Sequence, residues 1–88
     1  MTIYSIQFMP AVEKDLRDLP RSVLLRVFKQ IIALQEDPLP HQAIKLVGVE
    51  RLYRVRIGDY RIVYEVDRDL TRIIIHYVRH RSDVYRDL

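Results

Sequence analysis

The sequence predicts a single α+β domain: an N-terminal strand, a helix hairpin, a mostly antiparallel sheet of three to four strands, and a short C-terminal helical tail capped by Ser82. Two observations predict this class. Apolar residues recur at helical spacing before residue 38 and alternate with polar residues after residue 51, which are the periods of helix and strand. The 88 residues have room for only one hydrophobic core. We therefore expect the helix pair to pack on one face of the sheet.

The N-terminal part predicts one strand and two helices. A short β-type run ends before Pro10, and proline suits the first turn of a helix because its missing N–H would have no partner there. Charged residues of the first helix, including Asp15, are assigned to its polar side. Pro20 separates the helices, and the second ends before Asp37-Pro38. The apolar residues are Ile3, Tyr4, Ile6 and Phe8 in the strand, Val12, Leu16 and Leu19 in the first helix, and Leu24, Val27, Phe28, Ile31 and Leu34 in the second.

Residues 52–57 and 60–66 predict a β-hairpin that follows a loop at 38–42. The first strand alternates strictly and the second less strictly, and the Gly58-Asp59 pair between them is a two-residue turn signal. Such a turn fixes which residues face each other, and facing side chains share one side of the sheet. The predicted pairs are Ile57 with Tyr60, Arg56 with Arg61, Val55 with Ile62, Arg54 with Val63, and Tyr53 with Tyr64.

This pairing places Arg54, Arg56 and Arg61 together on the outer side of the hairpin, with Val63 also outward. The tyrosines and most of the aliphatic residues then face the helices. Directly opposed like charges cost about 0.2–1 kcal/mol a pair, and on this side only Glu65 could partly offset them. Two interpretations stay open: an anion-binding face, or a solvated sheet face on which arginine stems cover apolar neighbours.

The last predicted strand, residues 71–78, follows a second turn and contains a continuous isoleucine run that predicts cover on both faces. The end of this strand adds two more arginines that could belong to the outer arginine face, Arg79 and Arg81. The spacing does not decide which of the two points to that side. His76 and His80 are about 13 Å apart in a strand, which is too far to share a metal ion.

Composition narrows the function. Hydrophobic residues make up 49% of the chain and its net charge is +3, which predicts a folded protein. The absence of cysteine excludes disulfides, thiolate nucleophiles and iron–sulfur clusters. No stretch approaches the ~20 apolar residues of a membrane span, and no signal peptide is apparent, so the cytoplasm is the expected location. No metal or other cofactor is expected, because the motifs that would hold one are missing.

The positive charge lies in the second half of the chain. Through Ala43 five basic residues cancel five acidic ones: Lys14, Arg17, Arg21, Arg26 and Lys29 against Glu13, Asp15, Asp18, Glu36 and Asp37. The later excess is nearly all arginine, which binds phosphate through planar, bidentate contacts. This favours a nucleic acid or an acidic protein as partner, and a general preference for arginine over lysine is the alternative. A cationic sheet face with a tyrosine hydroxyl fits metal-independent RNA cleavage, and equally simple phosphate binding.

Three segments carry a family resemblance: residues 45–48, 53–64 and 78–85. Together with the preceding helix pair, they resemble the RelE/ParE superfamily of type II toxin–antitoxin toxins over nearly the whole chain. The RelE-like branch implies a ribosome-dependent mRNA interferase, an endoribonuclease that cleaves mRNA in the ribosomal A site. It also implies a cognate RelB-like antitoxin, with operator DNA bound only through the antitoxin complex. The alternative is a ParE-like toxin that inhibits DNA gyrase by binding.

Matched by motif, the resemblance implies catalytic roles for Arg54, Arg56, Arg61, Arg79 and Tyr85. It implies RNA or phosphate binding by Lys45, Arg81 and His80. The set Arg61, Arg79 and Tyr85 favours the RelE branch, because ParE toxins typically lack it. The best-known RelE enzymes have lysines at the positions of Arg54 and Arg56. A guanidinium with a pKa above ~12 is a poor base, so Tyr85 or His80 would have to move the proton.

Overall fold

The computed structural model describes residues 2–48 and 51–84, and it confirms the predicted α+β class. Its elements in chain order are β1 (Ser5–Phe8), α1 (Pro10–Arg17), α2 (Arg21–Glu36), β2 (Ile44–Lys45), β3 (Leu52–Ile57), β4 (Tyr60–Asp67), β5 (Arg72–His80) and α3 (Arg81–Val84). No helix in these ranges is long and apolar enough to cross a bilayer.

The described strands form one five-stranded sheet in the order β1-β5-β4-β3-β2. Strand β1 runs parallel to β5, and the other neighbours are antiparallel. The predicted count of three to four strands was therefore too low. The additional strand, β2, pairs only Ile44 and Lys45 with β3, and two residues are too few to produce a recognisable alternation.

The predicted hairpin register is confirmed at every pair, from Ile57 opposite Tyr60 to Tyr53 opposite Tyr64. Gly58 holds the first central position of the turn with a φ of +58°. Two-residue turns of type II′ place glycine there because an L side chain is strained at positive φ. The turn residues therefore determine which side of the hairpin faces the helices.

The core lies between the helices and one face of the sheet. Its buried residues are Val12, Val27, Ile31 and Leu34 from the helices, and Val55, Ile57, Ile62, Tyr64, Val66, Ile73, Ile75 and Val78 from the sheet. Phe28 departs from the predicted apolar stripe, since it is 39% exposed. It lies near the exposed Leu25 and Ile32 on α2, so this helix carries more apolar surface than the sheet covers.

Strand β5 and the tail differ in detail from the predictions. Ile73 and Ile75 are buried but Ile74 is only half-buried, so cover is complete on the helix side alone. Helix α3 begins at Arg81, so Ser82 lies within it and does not precede it. The Arg81 N–H donates to the carbonyl of Asp59 at 2.7 Å, which ties the start of α3 to the hairpin turn.

Tyr64 anchors the loop after α2 to the core. Its ring is fully buried, and its hydroxyl donates a hydrogen bond of 2.8 Å to the carbonyl of Pro38. Burial raises the pKa of the phenol well above its usual value, and the negative charge of Asp37 acts in the same direction. The folded protein therefore favours the neutral phenol.

Tyr64→Phe should lower the free energy of unfolding by about 1 kcal/mol at pH 7, because the Pro38 carbonyl loses its buried donor. Since the folded state raises the pKa, the phenol stabilises the fold fully below its unfolded pKa of about 10 and loses this contribution as the pH rises above it. As the pH rises above about 10, the free energy of unfolding of Tyr64→Phe should therefore fall less steeply than that of the wild type. Urea denaturation at several pH values tests this, with Tyr60→Phe as the control. Equal alkaline slopes for wild type and Tyr64→Phe would contradict the assignment.

Candidate nucleic-acid interface

Three arginines form a row across the outer face of the sheet. Arg56 pairs with Arg61 between β3 and β4, and Arg61 pairs with Arg79 between β4 and β5. Facing residues on neighbouring antiparallel strands share a side, with Cβ atoms about 4.5–5.5 Å apart. We call these three residues the arginine row. The pairing settles the open question at the strand end, because Arg79 joins the row and Arg81 begins α3.

A second set of outer side chains lies beside the arginine row. Arg54 pairs with Val63, and Val63 pairs with Tyr77. Arg54 is half-buried, and its Nη1 atom is buried without a hydrogen-bond partner in residues 2–48 and 51–84. A buried donor of this kind needs a hydrogen-bond acceptor, and a phosphate oxygen is one that can supply it.

The outer face is less solvated than the sequence suggested. Arg56 is exposed, but Arg61 is only 7% and Val63 only 1% exposed. Arg61 therefore lies on the outer side as predicted, and of the two interpretations left open, a solvated sheet face does not fit it. The reason is that β4 is the middle strand of five, so side chains on β3 and β5 flank its outer residues on both sides.

Two neighbours within the described part of the chain, Asp15 and Tyr77, hold Arg79. Its Nε donates to Oδ1 of Asp15 at 3.3 Å, and its Cζ lies 4.5 Å from the centroid of the Tyr77 ring. Asp15 was assigned to the polar side of the first helix, but its side chain is only 12% exposed. It lies three residues after buried Val12 on α1 and therefore shares the helix face that packs on the sheet. The sequence signal for this contact was the position of a charged residue, Asp15, three residues after the apolar Val12.

Glu65 does not have the role expected of it. Its Oε1 lies 3.2 Å from Nε2 of His76. Glu65 is also four residues from Arg61 along β4, which is about 13 Å in a strand. Among the described residues, a carboxylate that contacts the arginine row is that of Asp15 on α1.

Two of the remaining candidates, Lys45 and His80, lie on the helix side of the sheet, away from the row. Lys45 pairs with Tyr53 on the helix side of the sheet and borders an open depression of about 320 Å³ that Arg51 and Arg68 also line. His80 pairs with Tyr60, and the two rings meet edge to face at 5.4 Å. The exposed Arg81 starts α3. Tyr85 lies outside the described residues.

His80 has a defined hydrogen-bond arrangement. Its Nδ1 accepts from the Ser82 N–H at 3.3 Å and lies 3.0 Å from the Ser82 hydroxyl oxygen. In the neutral ring the proton is then carried by Nε2. Within the described ranges no group of three His, Cys, Asp or Glu residues is arranged to hold a metal ion.

The arginine row supports a specific kind of chemistry. Guanidinium groups stay charged at every accessible pH, so they can hold a phosphate and stabilise added negative charge. They cannot serve as the base that removes a proton. Any reaction at this face would therefore combine charge stabilisation by the row with proton transfer by another group.

Comparison with known proteins identifies the class. Residues 6–85 match the family described as the ParE toxin of the type II toxin–antitoxin system parDE. The chain therefore belongs to the RelE/ParE superfamily of type II toxin–antitoxin toxins, as its motifs predicted.

Individual relatives carry Rel names. The RelE1 protein of Methanocaldococcus jannaschii is 34% identical, over 96% of this chain and 97% of its own length. Toxin RelG of Mycobacterium tuberculosis is 30% identical, over 94% and 97%. Among solved structures, RelE from the archaeal RelE–RelB complex of Pyrococcus horikoshii OT3 matches with a TM-score of 0.80 and 34% identity, covering 92% of this chain and 97% of that one.

The burial difference within the row predicts a difference in stability. Arg61→Ala should lower the free energy of unfolding by about 1–2 kcal/mol, because the buried stem leaves unfilled space. Arg56→Ala, which removes the same charge from an exposed site on the adjacent strand, should change it by less than about 0.5 kcal/mol. Urea denaturation of the two variants measures both values. Equal losses in the two would mean that Arg61 is not packed as described.

Proposed function

We propose that this chain is a RelE-type toxin, a ribosome-dependent endoribonuclease that cleaves mRNA in the A site and stops translation. The observation that carries the proposal is the arginine row, in which Arg56, Arg61 and Arg79 lie side by side on three adjacent strands. Such a row suits a phosphodiester backbone, and the buried Nη1 of Arg54 beside it, which has no partner among the described residues, adds a donor for the same backbone. The Rel names of the relatives support the same branch.

The proposed reaction uses the substrate's own nucleophile. The 2′-oxygen of the ribose attacks the adjacent phosphorus, the bond from phosphorus to the 5′-oxygen breaks, and the products are a 2′,3′-cyclic phosphate and a 5′-hydroxyl. Arg61 and Arg79 stabilise the extra negative charge on the phosphoryl oxygens in the transition state. Arg54 and Arg56 hold the flanking backbone. This mechanism requires no metal ion.

Proton transfer is assigned to Tyr85. His80 was the other candidate, but it pairs with Tyr60 on the helix side of the sheet, away from the arginine row. Arg81 begins α3 beside the end of the row, so we propose a supporting contact to RNA for it. Lys45, on the helix side, would contact RNA or ribosome outside the cleavage site.

A RelB-like antitoxin is the proposed protein partner. The similar RelE of Pyrococcus horikoshii was solved in complex with RelB. An acidic segment of the antitoxin could bind the cationic outer face of the sheet. An apolar segment could bind Leu25 and Ile32 on α2, which are 62% and 63% exposed. Operator DNA would be bound only through the toxin–antitoxin complex. The ribosomal substrate implies a cytoplasmic location.

Inhibition of DNA gyrase is the second candidate function. The family description that matches residues 6–85 names a ParE toxin, and ParE-like toxins act on gyrase by binding. The arginine row favours the nuclease, because gyrase binding requires no set of cations arranged around a phosphate.

Purified protein added to ribosomes that display a defined A-site codon should cut the mRNA within that codon. Mapping the new 5′ ends by primer extension measures the position, and the same preparation is assayed for inhibition of gyrase supercoiling. Cuts at the A site with unimpaired supercoiling are the expected result. Blocked supercoiling with intact mRNA would contradict the nuclease proposal and support the ParE alternative.

Arg79→Ala should slow single-turnover cleavage by about 10²-fold or more, the usual effect of removing a donor that stabilises transition-state charge. Arg21→Ala is the matched control, because it removes an exposed arginine from the start of α2, away from the outer face of the sheet. Its rate should stay within about twofold of wild type. Equal rates for the two variants would remove Arg79 from the site.

A further inference from the structure

The carboxylate of Asp15 contacts two successive residues of β5. Its Oδ2 accepts a hydrogen bond of 3.2 Å from the backbone N–H of Val78, and its Oδ1 accepts one of 3.3 Å from Nε of Arg79. The Asp15 side chain is 12% exposed. Both oxygens are therefore occupied, one by the backbone of the sheet and one by a member of the arginine row.

The topology explains why a helix residue reaches this place. Strand β1 runs beside β5 only as far as the pair Phe8 and Ile75. The chain then leaves the sheet at Pro10, and α1 packs along the remaining length of β5. Beyond Ile75 this edge of β5 has no neighbouring strand in the described residues, so Asp15 supplies the acceptor for the Val78 N–H that a strand would have provided.

The backbone contact fixes the carboxylate independently of Arg79. An arginine side chain has many rotamers, and ordering it for function requires contacts that select one of them. Here Asp15 holds Nε while the Tyr77 ring lies 4.5 Å from Cζ. A guanidinium held at Nε directs its two terminal nitrogens, which carry its other four N–H groups, away from that contact.

We propose that Asp15 is a positioning residue for RNA cleavage, which holds the Arg79 guanidinium in the arginine row for the scissile phosphate. This inference rests on the proposed nuclease function. Asp15 does not itself contact RNA and acts only through Arg79. Its removal should therefore slow the chemical step and leave ribosome binding unchanged.

Asp15→Asn is the informative change. The amide oxygen can still accept from the Val78 N–H, while the amide nitrogen is a donor and cannot accept from Nε of Arg79. The test is a double-mutant cycle of Asp15→Asn and Arg79→Ala, measured as single-turnover cleavage on programmed ribosomes at a temperature where each variant is folded by circular dichroism. Glu13→Gln, an exposed carboxylate on the same helix, is the matched control.

The expected result is a loss of about tenfold in cleavage rate for Asp15→Asn in the wild-type background. In the Arg79→Ala background the same change should cause no further loss, because the group that Asp15 positions is gone. Within each background, Asp15→Asn should change ribosome affinity by less than about twofold, and Glu13→Gln should cleave like wild type. Arg79→Lys is a second variant, since it keeps the charge and the Val78 contact but lacks Nε, and it should also be insensitive to Asp15→Asn.

Equal losses in both backgrounds would overturn the inference, because Asp15 would then act through the fold and not through Arg79. An unchanged rate for Asp15→Asn would overturn it as well. If wild-type protein cuts no mRNA on ribosomes, the nuclease proposal itself has failed, which the wild-type lane alone reveals. The two failures are therefore distinguishable.

Discussion

The register of β3 against β4 is the constraint on which the rest of the structure depends. A two-residue turn with Gly58 at positive φ fixes it. Side chains alternate between the faces of a strand, so a slip of one residue would move every apolar residue of a strand to the outside. The same register that buries Val55 and Ile62 also brings Arg56 and Arg61 together, so the core and the candidate site share one cause.

The arginine row is then completed by β5 and supported by α1. Like charges on adjacent strands repel, and the cost is moderated where an opposite charge is close. Asp15 is that charge, and it is available because β1 ends early and α1 replaces it along the edge of β5. A helix that helps to build the core through Val12 thus also contributes to the outer face.

Local signals made the hairpin predictable from the sequence, down to each facing pair, because the turn and the alternation lie within a few residues of each other. The register of β5 was not predictable, since an irregularity between Val63 and Tyr64 shifts the pairing. The contact of Asp15 with Arg79 spans 64 residues, and the burial of Arg61 depends on two neighbouring strands. Such features arise from tertiary packing, which residue spacing alone does not encode.

The proposed function requires that the arginine row hold the phosphate at which mRNA is cut. A structure of the protein on a ribosome whose A-site codon carries 2′-O-methyl groups tests it most directly, because the methyl group blocks the attacking oxygen. We expect oxygens of the scissile phosphate to lie within about 3 Å of the guanidinium nitrogens of Arg61 and Arg79. A phosphate bound instead beside Lys45 and Arg51, on the helix side of the sheet, would contradict it.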